Sequence, residues 1–99
     1  MQLARNFYLN NDKTISKLIK SICPDVVINT AAYHHVEQCE ANPSVAYGVN
    51  AEGARNVADV SKKLEAYLIH ISTDYVFDGK KGAPYVETDL PAPLNEYGR

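Results

Sequence analysis

The sequence lacks several features that would point to common function classes. It has two cysteines in 99 residues, Cys23 and Cys39. They form neither a CxxC pair nor a zinc spacing, so a disulfide framework and a structural zinc site are both excluded. They read as two reduced thiols. His34, His35 and His70 add no metal case, because the adjacent pair would point apart on any regular element. The ten basic residues are scattered and the net charge is -2, which gives no footprint for nucleic acid or an anionic membrane. No apolar run approaches the roughly 20 residues that span a bilayer. The opening MQLARNFYLNNDK has no apolar core of a secretory signal, so a cytoplasmic location is expected. No GxxGxxG phosphate loop occurs anywhere.

What is present is an ordinary soluble composition, 45% hydrophobic and 22% charged, sized for one small domain. A chain this short has little margin of buried surface. If its faces normally pack on further segments, marginal folding alone is expected.

Four patterned segments follow one another. Ile15, Leu18, Ile19 and Ile22 recur three and four apart, which predicts a helix over residues 12–22. Asn11 or Asp12 would cap it, and Pro24 stops it. Residues 25–29, DVVIN, form a short apolar run without alternation, as in a parallel strand covered on both faces. Asn42-Pro43 then opens a long helix to Leu64, with a stripe of mostly small residues that allows close approach to a sheet. Lys62 and Lys63 sit in its last turn, where cations favour the helix dipole. Residues 66–72, AYLIHIS, read as a second buried strand. Two helix–strand repeats imply parallel strands and a doubly wound α/β sheet. Residues 73–96 hold Gly79, Gly82, Pro84, Pro91 and Pro93 without a period. A loop that long is uncommon unless functional, and ligands of open α/β sheets bind beyond the carboxyl ends of the strands.

Three places could carry chemistry. Asn29-Thr30-Ala31-Ala32-Tyr33 ends the first strand with small side chains. These suit a flat ligand lying on the backbone, and equally a tight strand-to-helix turn. Ser72-Thr73-Asp74 ends the second strand. Its hydroxyls can donate to a carbonyl and its carboxylate can accept from sugar hydroxyls. Local capping of the backbone explains the same residues. Tyr97 carries a phenol whose ordinary pKa near 10 requires a neighbouring cation for proton transfer at neutral pH. A lysine one helical turn later would supply it, at a position beyond Arg99.

The strings PDVVINTAAY (residues 24–33), VNAEGARNVA (49–58), HISTDYVFDGKKGAPYVETD (70–89) and PLNEYGR (93–99) resemble the dTDP-4-dehydrorhamnose reductases. Order and spacing match from about residue 11 onward. The resemblance implies a partial Rossmann-like dinucleotide-binding domain over residues 1–99, lacking the first βαβ unit and the substrate domain. It implies NADPH or NADH as cofactor and a dTDP-4-keto-6-deoxy sugar as substrate, reduced at C4. Tyr97 would protonate the developing alkoxide, Thr73 would hold the keto oxygen, and Asp74 would bind the sugar. Ala31, Ala32, Tyr33, Ile71, Ser72 and Tyr97 would line the cofactor. Asn50 matches a family asparagine whose role is either direct or a structural link. A homodimer is compatible with the full-length protein.

The pattern departs from the family in three places. The phosphate loop is absent, the lysine after Tyr97 lies beyond the last residue, and Tyr8-Leu9 stand where the family carries an adenosine-side aspartate. The expectation is a fragment of a longer enzyme, inactive as these 99 residues alone. The competing reading is a non-catalytic relative, akin to the regulatory β subunit of methionine adenosyltransferase, that binds another protein.

Overall fold

The computed structural model describes residues 12–99. The expected cap at Asn11 or Asp12 and the Tyr8-Leu9 position lie outside the described residues or side chains. The chain runs α1 (Asp12–Ile22), β1 (Val26–Asn29), α2 (Val36–Ala41), α3 (Pro43–Tyr47), a π-helical turn (Gly48–Gly53), α4 (Ala54–Lys63), β2 (Tyr67–His70) and a 3-10 turn (Asp74–Val76).

The two strands pair in parallel, with Val26 opposite Tyr67 and Asn29 opposite His70. This is the α/β arrangement that the helix–strand repeats demand, and it is part of a Rossmann-like sheet. α4 lies against both strands and α1 packs along α4. Ile15 from α1 joins Val57 and Val60 from α4 in the core, while Ala46, Val49 and Cys39 bury the other end. The small residues of the long helix allow this close approach.

Both α1 and α4 end on a residue in the left-handed region. Cys23 has φ 48° and Glu65 has φ 56°. A left-handed residue lets the chain reverse and satisfies the last carbonyls, a place usually taken by glycine. Cys23 N–H reaches Ile19 O, and Ala66 N–H reaches Ser61 O at 2.9 Å.

Three expectations need correction. First, the strands are not covered on both faces. Alternate residues of each strand point to opposite sides. Val27, Asn29 and Leu68 share the more covered face, whereas Ile28 stays 63% exposed and Tyr67 71%. Among the described residues, nothing packs on that second face. One helical layer covers the sheet among the described residues. Second, the helix over residues 42–64 is one helical rod, but its centre is wound as a π turn bounded by Gly48 and Gly53. Third, α2 was not foreseen; it fills the gap between Tyr33 and Asn42.

The long loop is ordered by its own side chains. The Asp78 carboxylate accepts from Lys80 N–H and from the Tyr85 hydroxyl, both at 3.0 Å. Tyr85 stacks on Phe77 with ring centres 4.1 Å apart. Asp89 pairs with Lys81 and accepts Val86 N–H at 2.8 Å. The backbone bond from Lys80 and the Tyr85 hydroxyl hold the Asp78 carboxyl below its ordinary value; the Lys81 ammonium and Val86 N–H do the same for Asp89.

Candidate active site at the carboxyl edge of the sheet

Beyond the carboxyl ends of β1 and β2 lies a cleft of about 190 Å³. This is where an open α/β sheet places its ligands. Ala31 and Ala32, leaving β1, form one wall. Ile71, Ser72 and Thr73, leaving β2, form the floor. Tyr97 and its neighbours Glu96 and Gly98 close the other side. Six of the sequence-predicted residues therefore meet around one space: Ala31, Ala32, Ile71, Ser72, Thr73 and Tyr97.

Two predicted residues do not line it. Tyr33 is turned to α2: its hydroxyl donates to Gln38 Oε1 at 3.0 Å and its carbonyl accepts the Cys39 thiol at 3.3 Å. Asp74 borders a separate open groove with Tyr75, Phe77 and Asp78. Its carboxylate accepts from the Thr73 hydroxyl at 3.4 Å. The Thr73 hydroxyl in turn accepts Tyr75 N–H at 3.3 Å and so caps the 3-10 turn. The capping role suggested by the sequence is thus real. Thr73 lines the cleft while its hydroxyl is engaged in these two local bonds.

The wall carrying Ala31 and Ala32 is fixed from behind. Asn50, projecting from the π turn, accepts Tyr33 N–H at 2.7 Å and donates to Tyr33 O at 3.0 Å. One amide side chain thereby satisfies both polar groups of a loop residue that has no strand partner. Asn50 thus makes a structural link and also lines the cleft, so both roles open to it are compatible with its place. Burial, helped by the Glu40 carboxylate, pushes the Cys39 thiol above its ordinary value, so it acts as a packed donor rather than a nucleophile.

From sequence, Asn29 is named only as the start of the strand-end segment, and His70 is not singled out for the site. Asn29 is buried, its Oδ1 accepts Ala31 N–H at 3.2 Å, and its Nδ2 faces His70 Nδ1 at 3.1 Å. With the amide so oriented, His70 accepts at Nδ1 and carries its proton on Nε2. The signal was present: both residues occupy the last position of a strand and are cross-strand partners.

Tyr97 is placed by close packing. Its ring meets the edge of Tyr75, with centroids 5.5 Å apart and planes at 66°. Gly98 lies so close to the 3-10 turn that a Cβ there would come within 2.2 Å of Tyr75 O. Among the described residues, no cluster of His, Cys, Asp or Glu could hold a metal, and no helix is long and apolar enough to cross a membrane.

The family model for the RmlD substrate binding domain matches residues 3–99. The chain belongs to this family. Among curated RmlD relatives, the dTDP-4-dehydrorhamnose reductase of Sinorhizobium fredii is 40% identical over 94 residues, covering 95% of this chain and 32% of the relative. The Escherichia coli reductase is 39% identical over 89 residues, covering 90% of this chain and 30% of the relative. The crystal structure of the Bacillus anthracis reductase, in complex with NADP, superposes with a TM-score of 0.86 at 43% identity. That match covers 91% of this chain and 32% of the other. The NAD complex of UDP-glucose 4-epimerase from Thermus thermophilus shares the fold, with a TM-score of 0.79 at 22% identity. The chain spans about a third of the length of the RmlD relatives it matches.

Proposed function

We propose that these residues form the nicotinamide- and sugar-facing part of a dTDP-4-dehydrorhamnose reductase. The observation that carries the reading is the single cleft in which Thr73, Tyr97 and the Ala31-Ala32 wall converge. The relatives named above are reductases, which favours this reading over a non-catalytic protein-binding one.

The residues fit the nicotinamide end of a dinucleotide. Two alanines leave room for a flat ring, and their backbone is held by Asn29 and, through Tyr33, by Asn50. Bound NADPH or NADH would supply the hydride. Thr73 would turn its one hydroxyl proton from the Asp74 carboxylate to the C4 keto oxygen and hold that oxygen in place. Tyr97 would give its phenolic proton to that oxygen as the carbonyl becomes an alcohol. Asp74, in the adjoining groove, would accept from hydroxyls of a sugar that extends beyond the cleft. As a domain, residues 1–99 are then part of the dinucleotide-binding unit, acting in a cytoplasmic enzyme that is compatible with a homodimer.

The test uses the full-length polypeptide that carries this segment. With a dTDP-4-keto-6-deoxy sugar it should oxidise NADPH, and Thr73→Val should slow turnover by about 10²-fold, the usual cost of one oxyanion-type donor. Undiminished turnover in that variant would remove Thr73 from the proposed role.

A further inference from the structure

We propose that Glu40 is a positioning residue for Tyr97, a proposal that rests on the reading of Tyr97 as the proton donor. Glu40 sits in the last turn of α2, and its Oε1 accepts Glu96 N–H at 2.7 Å. The bond joins residues 56 apart in sequence and grips the backbone N–H of the residue directly before Tyr97. A carboxylate acceptor makes such a bond shorter and stronger than a neutral one.

The Tyr97 segment needs this hold. It follows a loop with no strand or α-helix to fix it. The Ala92 N–H bond to Val76 O anchors the loop five residues earlier. Asn95 and Arg99 make only local contacts: Asn95 Oδ1 accepts Gly98 N–H, and Arg99 pairs with the Glu96 side chain. The Tyr75 ring edge and the Gly98 contact set how close Tyr97 comes to Thr73. Neither relates it to the opposite wall.

α2 supplies that relation. From its middle it is tied to Tyr33, through Gln38 and through the fully buried Cys39 next to Glu40. Tyr33 is locked in turn by Asn50. The short helix therefore bridges the two walls of the cleft, with Tyr33 on the alanine side and Glu40 on the tyrosine side. Because the Glu40–Glu96 bond is exposed, water can replace it with little effect on folding. What its loss frees is the angle at which Tyr97 enters the cleft.

The experiment compares the full-length polypeptide that carries this segment with its Glu40→Ala, Glu40→Gln and control Glu37→Ala variants by NMR, with labelled tyrosine rings and backbone amides. In Glu40→Ala, the Tyr75–Tyr97 ring-to-ring signals should weaken several-fold and Glu96 amide protection should be lost. The β1 and β2 amides should stay unchanged. Glu40→Gln keeps an acceptor oxygen and should restore both signals; Glu37→Ala should change neither. Unchanged Tyr97 signals in Glu40→Ala would overturn the proposal, as would failure of Glu40→Gln to restore them. Collapse of the strand signals in Glu40→Ala would overturn it too, since Glu40 would then hold the fold. In the full-length polypeptide, Glu40→Ala should lower kcat about tenfold at unchanged KM, the mark of misplaced chemistry rather than lost binding. Displaced Tyr97 with undiminished kcat would leave Glu40 as its anchor and instead refute Tyr97 as proton donor.

Discussion

Replacing Gly98 by alanine tests how Tyr97 is held. The added Cβ would lie 2.2 Å from Tyr75 O, 2.8 Å from Tyr75 C and 3.0 Å from Pro93 Cβ. Two of these are backbone atoms of the 3-10 turn, which is capped by Thr73 and cannot yield cheaply. The tyrosine segment must instead retreat, by about 1 Å, to reach ordinary contact. Retreat forfeits the Tyr75–Tyr97 edge contact, worth about 0.5–1.5 kcal/mol, so the loss of stability should be small. The loss of rate should be larger, because a misplacement of about 1 Å can cost about 10²-fold. Gly79→Ala is the control. Gly79 has φ +73° and nothing within 4 Å of a Cβ. That change should cost about 1 kcal/mol of backbone strain and leave Tyr97 in place. Thermal melts, steady-state turnover and NMR of the full-length polypeptide separate the two effects. Gly98→Ala with intact ring contacts and undiminished turnover would refute the reasoning, as would an equal loss of turnover from Gly79→Ala.

Other perturbations have equally defined outcomes. Ser61 is 1% exposed and its hydroxyl has no hydrogen-bond partner among the described residues, so Ser61→Ala should stabilise the fold by about 1 kcal/mol, seen as a higher Tm. Glu65 holds a left-handed φ of 56°; Glu65→Gly should gain about 0.5–1 kcal/mol by relieving it, and a lower Tm would contradict that. Asp78 and Asp89 have lowered pKa values in the folded loop, so their contribution is present above the ordinary carboxylate range and is lost as pH falls through the folded values. Amide exchange in residues 78–89 should therefore rise on acidification before that of β1 and β2, and Asp78→Asn should remove part of the pH dependence.

How far the sequence revealed the molecule depends on the range of each interaction. α1, the long helix and both strands were legible because their apolar spacing is local. α2 was not, since six residues starting after His34-His35 carry too little periodicity, and what holds it is the distant Tyr33 carbonyl. The π turn was hidden because small residues suit α and π winding alike. The apolar runs of β1 and β2 indicated strands but misled on their covering, since an unbroken apolar run does not say whether one face or two is packed. The cleft was foreseen at the strand ends because topology dictates it. Asp74 was expected to share that cleft, yet the 3-10 turn carries it to the next groove. The Asn50–Tyr33 and Glu40–Glu96 bonds, 17 and 56 residues apart, lie beyond any spacing rule.

The most direct test of a proton-donating Tyr97 facing Thr73 across this cleft is the turnover of the full-length polypeptide bearing Tyr97→Phe. NADPH oxidation with the dTDP-4-keto-6-deoxy sugar should fall by about 10²–10⁴-fold, the usual worth of a general acid, while KM for the sugar changes little. Turnover close to that of the unsubstituted protein would contradict the assignment.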